Sequence, residues 1–115
     1  MLRDLRATCD VALDVRDGWT DAPGPAAMVW DPSGSGSGVF VVDGADPLAQ
    51  LVAVTDRMRD IAIEALWSAR HSVTWPECPE HPRSHPLEVN ADGHRAVWRC
   101  PRSGTVVAEV GTLRR

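Results

Sequence analysis

The sequence predicts an α+β protein, and three patterns along its 115 residues support that class. Short β-prone runs before residue 43 predict an N-terminal antiparallel sheet. A period of three to four residues then predicts one long amphipathic helix. Three further β-prone runs near the end of the chain predict a three-stranded antiparallel ribbon. At this length we expect a single domain over residues 1–115, with a sheet-plus-helix body over 1–72 and a ribbon-like subdomain over 73–115.

The first sheet is predicted from alternation and from turn residues. Over residues 5–15 apolar and other side chains alternate with a nearly strict period of two, which is typical of a half-buried strand. Cys9 falls on the apolar side of that strand, and we expect it in the core. Residues 26–30 and 39–42 are also β-prone, and the Ser- and Gly-rich stretch 31–38 predicts a hairpin with a long, mobile tip.

The helix has a clear start signal at Asp46 and Pro47. An Asp N-cap accepts from otherwise unpaired amides, and proline at the first helical position has no amide to leave unpaired. The apolar period continues to about Ala69, and we expect this face to pack on the protein's own sheet, with a partner or a second copy as the alternative. Near the end of the helix, Trp67 is expected in the core or at its rim. His71 is expected to cap the last turn.

Charge and composition exclude several classes of protein. The net charge is −4, and residues 1–74 carry six arginines against eleven acidic groups, which argues against general nucleic-acid binding. No stretch approaches the ~20 apolar residues that span a bilayer, and the N-terminus lacks the apolar core of a signal peptide. Three cysteines fit a reducing compartment, so we expect a cytoplasmic protein without a membrane partner. A disulfide between Cys78 and Cys100 is the rival interpretation.

Two short segments carry the chemistry of a metal site. Residues 78–81 read C-P-E-H and residues 100–104 read C-P-R-S-G. Both resemble the C-P-x-C and C-P-x-C-G knuckles of zinc ribbons, and the resemblance covers about residues 75–113. Zinc ribbons are structural metal modules that dock protein or nucleic-acid partners, so the resemblance implies Cys78, His81 and Cys100 as ligands. It also places Ser103 where the fourth ligand would be.

A histidine can replace the missing ligand. His94 and Cys100 are six residues apart on one predicted strand, which separates them by about 20 Å. His85 lies four residues after His81 in the same proline-rich loop. We therefore expect a Cys₂His₂ zinc shell of Cys78, His81, His85 and Cys100. Three protein ligands with a water, or a ribbon without metal that is held by proline and tryptophan packing, are the alternatives.

These features favour a small non-enzymatic binding or adaptor protein with a structural zinc knuckle. Its expected partner is another protein of unknown identity, or a second copy of the chain. One alternative is a metal-dependent hydrolase with Glu77 or Glu80 as general base. The other is a nucleic-acid-binding ribbon, which the acidic body disfavours. That ribbon would use four residues near the second knuckle: Arg95, Trp98, Arg99 and Arg102.

Overall fold

Two antiparallel three-stranded sheets and one long helix confirm the α+β class. The computed structural model describes residues 1–9, 11–69 and 74–114. Its elements are α1 (Leu2–Thr8), β1 (Asp14–Arg16), β2 (Ala26–Trp30), β3 (Gly36–Phe40), α2 (Pro47–Ser68), β4 (Glu88–Asp92), β5 (Arg95–Arg99) and β6 (Val106–Glu109). The predicted subdomain boundary at residue 72 and the predicted cap His71 lie outside the described residues. Neither described helix is long and apolar enough to cross a membrane.

The predicted strand over residues 5–15 is wrong for most of its length. Its first part is the helix α1, the chain is extended at Cys9, and only Asp14–Arg16 pairs as a strand. Leu2 and Leu5 are three residues apart, so the short segment fits a helical period as well as an alternating one. Leu5 is buried in the core, and Cys9 is half-buried against it. Tertiary packing therefore decides the conformation of this segment.

The first sheet has the strand order β1-β2-β3. Val29 pairs with Val15 on one side, and Ala27 pairs with Val39 on the other. Opposed residues in an antiparallel pair point to the same side of the sheet, so these side chains share the inner face. Val29 is fully buried there.

The predicted hairpin is present, but its tip is shorter than expected. β3 begins at Gly36, so only residues 31–35 connect the two strands. One Asp31 carboxylate oxygen accepts from the Ser33 and Ser35 amides at 2.9 and 3.0 Å. It also accepts from the Ser33 hydroxyl at 2.6 Å, and this hydrogen bond lowers the pKa of Asp31. The turn is therefore built by side-chain hydrogen bonds and is not the long, loose tip that was expected.

The long helix begins as predicted. The Asp46 carboxylate accepts from the Ala49 amide at 3.0 Å, and Pro47 is the first helical residue. The helix buries a stripe of its apolar face and lies against β3 of the first sheet and against β4 and β5 of the second. Trp67 does not belong to that stripe, because 69% of its surface is exposed.

The ribbon forms a sheet of its own, with β5 between β4 and β6. Val97 and Trp98 are adjacent on β5 and therefore point to opposite faces, yet both are fully buried. The turn between β4 and β5 is tight, since β4 continues to Asp92 and Gly93 takes the left-handed conformation with φ 62°. The Arg59 guanidinium of α2 donates to the Leu87 carbonyl at 2.9 Å. The ribbon is thereby held to the helix.

Helix α1 contacts the ribbon through two tryptophans. Trp98 Nε1 donates to the Asp4 carboxylate at 2.9 Å, and Trp75 Nε1 donates to the Thr8 hydroxyl at 2.9 Å. The two indoles also meet edge to face, with ring centroids 5.8 Å apart. Both rings are buried. Polar side chains of α1 therefore orient the two largest core residues of the ribbon.

Candidate metal site

The first knuckle lies in a loop that is closed at its base. The Leu87 amide donates to the Pro76 carbonyl at 2.7 Å, and Glu77 forms a β-bridge with Pro86. Within the loop, the His81 amide donates to the Cys78 carbonyl at 3.2 Å, which makes a tight turn. Proline at four nearby positions restricts the backbone of this segment. The loop therefore holds residues 78, 81 and 85 on a short, closed piece of chain.

The second knuckle joins β5 to β6. The Cys100 amide donates to the Thr105 carbonyl, and the Gly104 amide donates back to the Cys100 carbonyl, both at 2.9 Å. Gly104 has φ 79°, a conformation that favours glycine. The Ser103 amide points at the Cys100 Sγ at 3.5 Å. This turn presents the Cys100 sulfur to the first knuckle, and its Ser103 amide is a hydrogen-bond donor to that sulfur.

The two knuckles bring the four predicted ligands together. Cys78 Sγ, His81 Nδ1, His85 Nε2 and Cys100 Sγ all lie within 4.8 Å of one another. His81 Nδ1 is 3.6 Å from the Cys78 sulfur and 3.5 Å from the Cys100 sulfur. His85 Nε2 is 3.1 Å from His81 Nδ1 and 3.8 Å from the Cys100 sulfur. This group could hold a metal ion.

The neighbours of His85 favour one tautomer. Its Nδ1 lies 3.0 Å from the Pro86 carbonyl oxygen, which can only accept a hydrogen bond. Nδ1 therefore carries the proton, and Nε2 presents its lone pair to the cluster. A carbonyl partner on the second ring nitrogen is the usual support for a metal-binding histidine.

Both sulfurs are fully buried, whereas the two imidazoles are half-buried. Burial raises the pKa of the Cys100 thiol, but hydrogen bonds from Ser103, from the Arg102 amide and from Cys78 outweigh it. The pKa of Cys100 is lowered to about 6. Cys100 is therefore largely a thiolate at neutral pH, which is the form that binds metals.

Ser103 is not part of the four-residue cluster, and its hydroxyl has another role. It donates to the Glu80 carboxylate at 2.6 Å, which joins the second knuckle to the first. This hydrogen bond lowers the pKa of Glu80. The other candidate base, Glu77, accepts from the Arg83 amide at 3.1 Å. Both carboxylates thus have structural partners, one in the loop of the first knuckle and the other in the second knuckle.

The remaining predicted residues lie outside the cluster. His94 is exposed at the opposite end of β5 from Cys100, as the strand spacing predicts. Arg95 and Arg99 approach Asp92 at 3.2 and 4.0 Å, so their charge is partly balanced. All three cysteines are free thiols, which contradicts the rival disulfide between Cys78 and Cys100.

The polar side chains that bind the two ribbon tryptophans were not predicted from the sequence. Asp4 and Thr8, which hold the two ribbon tryptophans, lie in a segment that the alternating pattern assigned to a strand. The only signal for Asp4 is its position between Leu2 and Leu5, where a helix brings it to a buried face.

Comparison of the chain with protein-family models, with curated proteins and with solved structures finds no match. The geometry of the cluster and the general chemistry of its side chains therefore carry the functional argument.

Proposed function

We propose that this protein is a non-enzymatic binding or adaptor protein whose C-terminal ribbon is held by one structural zinc ion. The proposed ligands are Cys78, His81, His85 and Cys100. Convergence of these four side chains on one point is the observation that supports the proposal most strongly. Two thiolates and two imidazoles are a donor set typical of structural zinc sites.

The distances between the donor atoms support tetrahedral zinc. With Zn–S and Zn–N bonds of about 2.3 and 2.05 Å, a tetrahedron has S···N edges of about 3.6 Å and an N···N edge of about 3.3 Å. The three S···N separations given above are 3.5, 3.6 and 3.8 Å, and the N···N separation is 3.1 Å. These four separations are close to those of a zinc tetrahedron, and all the donor atoms lie within 4.8 Å of one another.

The same geometry favours a structural role over a catalytic one. A catalytic zinc ion keeps a coordination position open for water or substrate, whereas four protein ligands fill a tetrahedral shell. The sulfurs are fully buried, and the two candidate bases, Glu77 and Glu80, accept hydrogen bonds from Arg83 and Ser103 of the two knuckles. The proposed ion would join a loop with little regular structure to the end of β5.

Nucleic acid is the less favoured partner of the ribbon. Arg95 and Arg99 have Asp92 beside them, which reduces the positive charge available for phosphate. Trp98 is fully buried and has no face free to stack on a base. These observations support a partner that is not nucleic acid.

The first prediction concerns metal content. Protein purified without added metal is expected to contain about one zinc ion per chain, and Cys78→Ser is expected to lose it. Elemental analysis and native mass spectrometry of both proteins provide the measurement. Loss of one thiolate ligand also removes part of the folding free energy of the ribbon, so the variant should unfold at a lower urea concentration.

Two matched variants serve as controls for this experiment. Cys9→Ser removes a cysteine outside the cluster, and His94→Ala removes a histidine at the opposite end of β5. Both are expected to retain zinc. Absence of zinc from the parent protein, or equal zinc content in Cys78→Ser and Cys9→Ser, would contradict the proposal. Hydrolysis of esters or phosphoesters that Glu80→Gln abolishes would favour the hydrolase instead.

A further inference from the structure

The outer face of the first sheet carries a row of aromatic rings that the metal site does not use. Trp30 on β2 lies over Gly36 on β3, because a Cβ added to Gly36 would lie 2.6 Å from the indole. Trp19 lies over Gly38 in the same way, also with 2.6 Å to an added Cβ. Both glycines thus leave space for a ring against the strand backbone.

Phe40 extends this row. Residues 36, 38 and 40 of β3 point to one side of the sheet, since strand side chains alternate. The Phe40 ring meets the edge of Trp19, with centroids 5.7 Å apart and planes at 89°. Trp30, Trp19 and Phe40 therefore follow one another along β3, and we call these three residues the aromatic platform.

The platform is accessible to a ligand. Phe40 is 43% exposed, and Trp19 and Trp30 are half-buried against the strand. The chain has five tryptophans, one phenylalanine and no tyrosine, so half of these aromatic residues lie on this face. Clustered exposed aromatics are typical of interaction sites.

The part of the chain that carries the platform is acidic. Residues 11–46 contain six aspartates and a single arginine. Asp17 and Asp21 are exposed on either side of Trp19 in the sequence, and neither has an ion-pair partner among the described residues. Asp14 pairs with Trp30 across the strands and binds Arg16, the one basic residue. The potential at this face therefore attracts cations.

We propose that the aromatic platform binds an extended basic segment of a partner protein. Arginine or lysine side chains would lie over the indole faces, where the ring quadrupole attracts a cation, and the nearby aspartates would add charge complementarity. Gly36 and Gly38 are two residues apart on β3, so the strand positions that the two indoles cover are spaced by about 6.6–6.8 Å. Alternate side chains of an extended peptide have the same spacing.

Charge decides against two other occupants. A second copy of the chain docking through the same face would place two strongly acidic surfaces together, which is repulsive. A nucleic acid would bring phosphates beside the aspartates, although its bases could stack on indoles. A basic peptide satisfies both the aromatic and the acidic features.

The test is a calorimetric titration of the whole protein with a short peptide that alternates arginine and threonine. Trp19→Ala and Trp30→Ala are each expected to weaken binding about 2- to 30-fold, as the loss of a cation–π contact predicts. Trp67→Ala removes an exposed tryptophan of α2 and is the matched control, which should bind as the parent does. A peptide with glutamate in place of arginine should not bind.

A second variant addresses the risk that loss of a tryptophan unfolds the sheet. Asp17→Asn with Asp21→Asn changes only exposed side chains, and it should weaken binding and reduce its dependence on salt. In NMR spectra of the parent protein, the Trp19 and Trp30 indole N–H signals should shift with the peptide, while the Trp67 signal should not.

Three results would overturn the proposal. One is no binding of the arginine peptide, or equal binding by Trp19→Ala and Trp67→Ala. The second is binding of single-stranded oligonucleotides or oligosaccharides, but not of the peptide, through these tryptophans. The third is self-association that Trp30→Ala abolishes. The proposal does not depend on the metal, and zinc content measured in the same samples separates failure of one proposal from failure of the other.

Discussion

Cys100 combines complete burial with a pKa of about 6, down from the usual 9.0 for a thiol. Because the pKa is lower in the folded chain, the thiolate stabilises the fold fully above pH 9.0, and this contribution is lost as the pH falls through about 6. Metal binding adds to the same linkage, since zinc binds the thiolate and the neutral imidazole.

Zinc retention should therefore depend on acidity. We expect the affinity for zinc to fall as the pH falls below about 6, where protons compete with the metal for Cys100. A chromogenic chelator that reports free zinc over a pH series provides the measurement. Cys9→Ser should give the same curve, because Cys9 is outside the cluster. An affinity for zinc that does not fall with acidity in this range would contradict Cys100 as a ligand.

The second knuckle has the backbone of a two-ligand turn but only one of the proposed ligands. Its Ser103 amide approaches the Cys100 sulfur at 3.5 Å, and the Ser103 hydroxyl binds Glu80 of the first knuckle. The Ser103 hydroxyl therefore joins the two knuckles by a hydrogen bond, while His85 supplies the proposed fourth metal ligand.

This arrangement predicts that the missing ligand can be restored. His85→Ala should lower zinc content, and the double variant H85A/S103C should regain it, because a thiol at position 103 completes a C-P-x-C turn. Elemental analysis of the variants checks the prediction. In the control H85A/S35C, the new cysteine lies in the exposed hairpin turn, and zinc should stay low. Full zinc content in His85→Ala alone would remove His85 from the ligand set.

The elements that the sequence predicts correctly are those with local signals. The Asp46 cap, the helical period and the two knuckle turns each depend on residues a few positions apart, and the structure contains all of them. The prediction for residues 5–15 was wrong because the conformation of this part of the chain depends on distant partners. Thr8 accepts from Trp75, and Asp4, just before the segment, accepts from the Gly111 and Leu113 amides. Likewise, the Ser- and Gly-rich stretch 31–38 predicted a mobile tip, because its composition does not indicate that two indoles pack on Gly36 and Gly38.

At the scale of the whole molecule, Asp4 connects α1 to the end of the ribbon. Its fully buried carboxylate accepts from Trp98 Nε1 at 2.9 Å and from the amides of Gly111 and Leu113 at 2.7 and 2.8 Å. These contacts join the first described helix to the strand that leads into Cys100. The candidate site thus depends on residues far from its ligands in sequence.

Asp4→Asn should measure the importance of this connection. An amide side chain has one accepting oxygen where the carboxylate has two, and hydrogen bonds to a charged group are the stronger ones, so we expect a loss of about 3 kcal/mol in the free energy of unfolding. Urea denaturation provides the measurement. Asp14→Asn, at an exposed ion pair with Arg16, is the matched control and should cost less than about 1 kcal/mol. Equal losses in the two variants would contradict a special role for Asp4.

The hydrogen bond between Asp4 and the Leu113 amide spans 109 residues, which has a consequence for biosynthesis. On the ribosome, α1 emerges well before the groups that satisfy its buried carboxylate. The helix can therefore dock only after the ribbon has been synthesised.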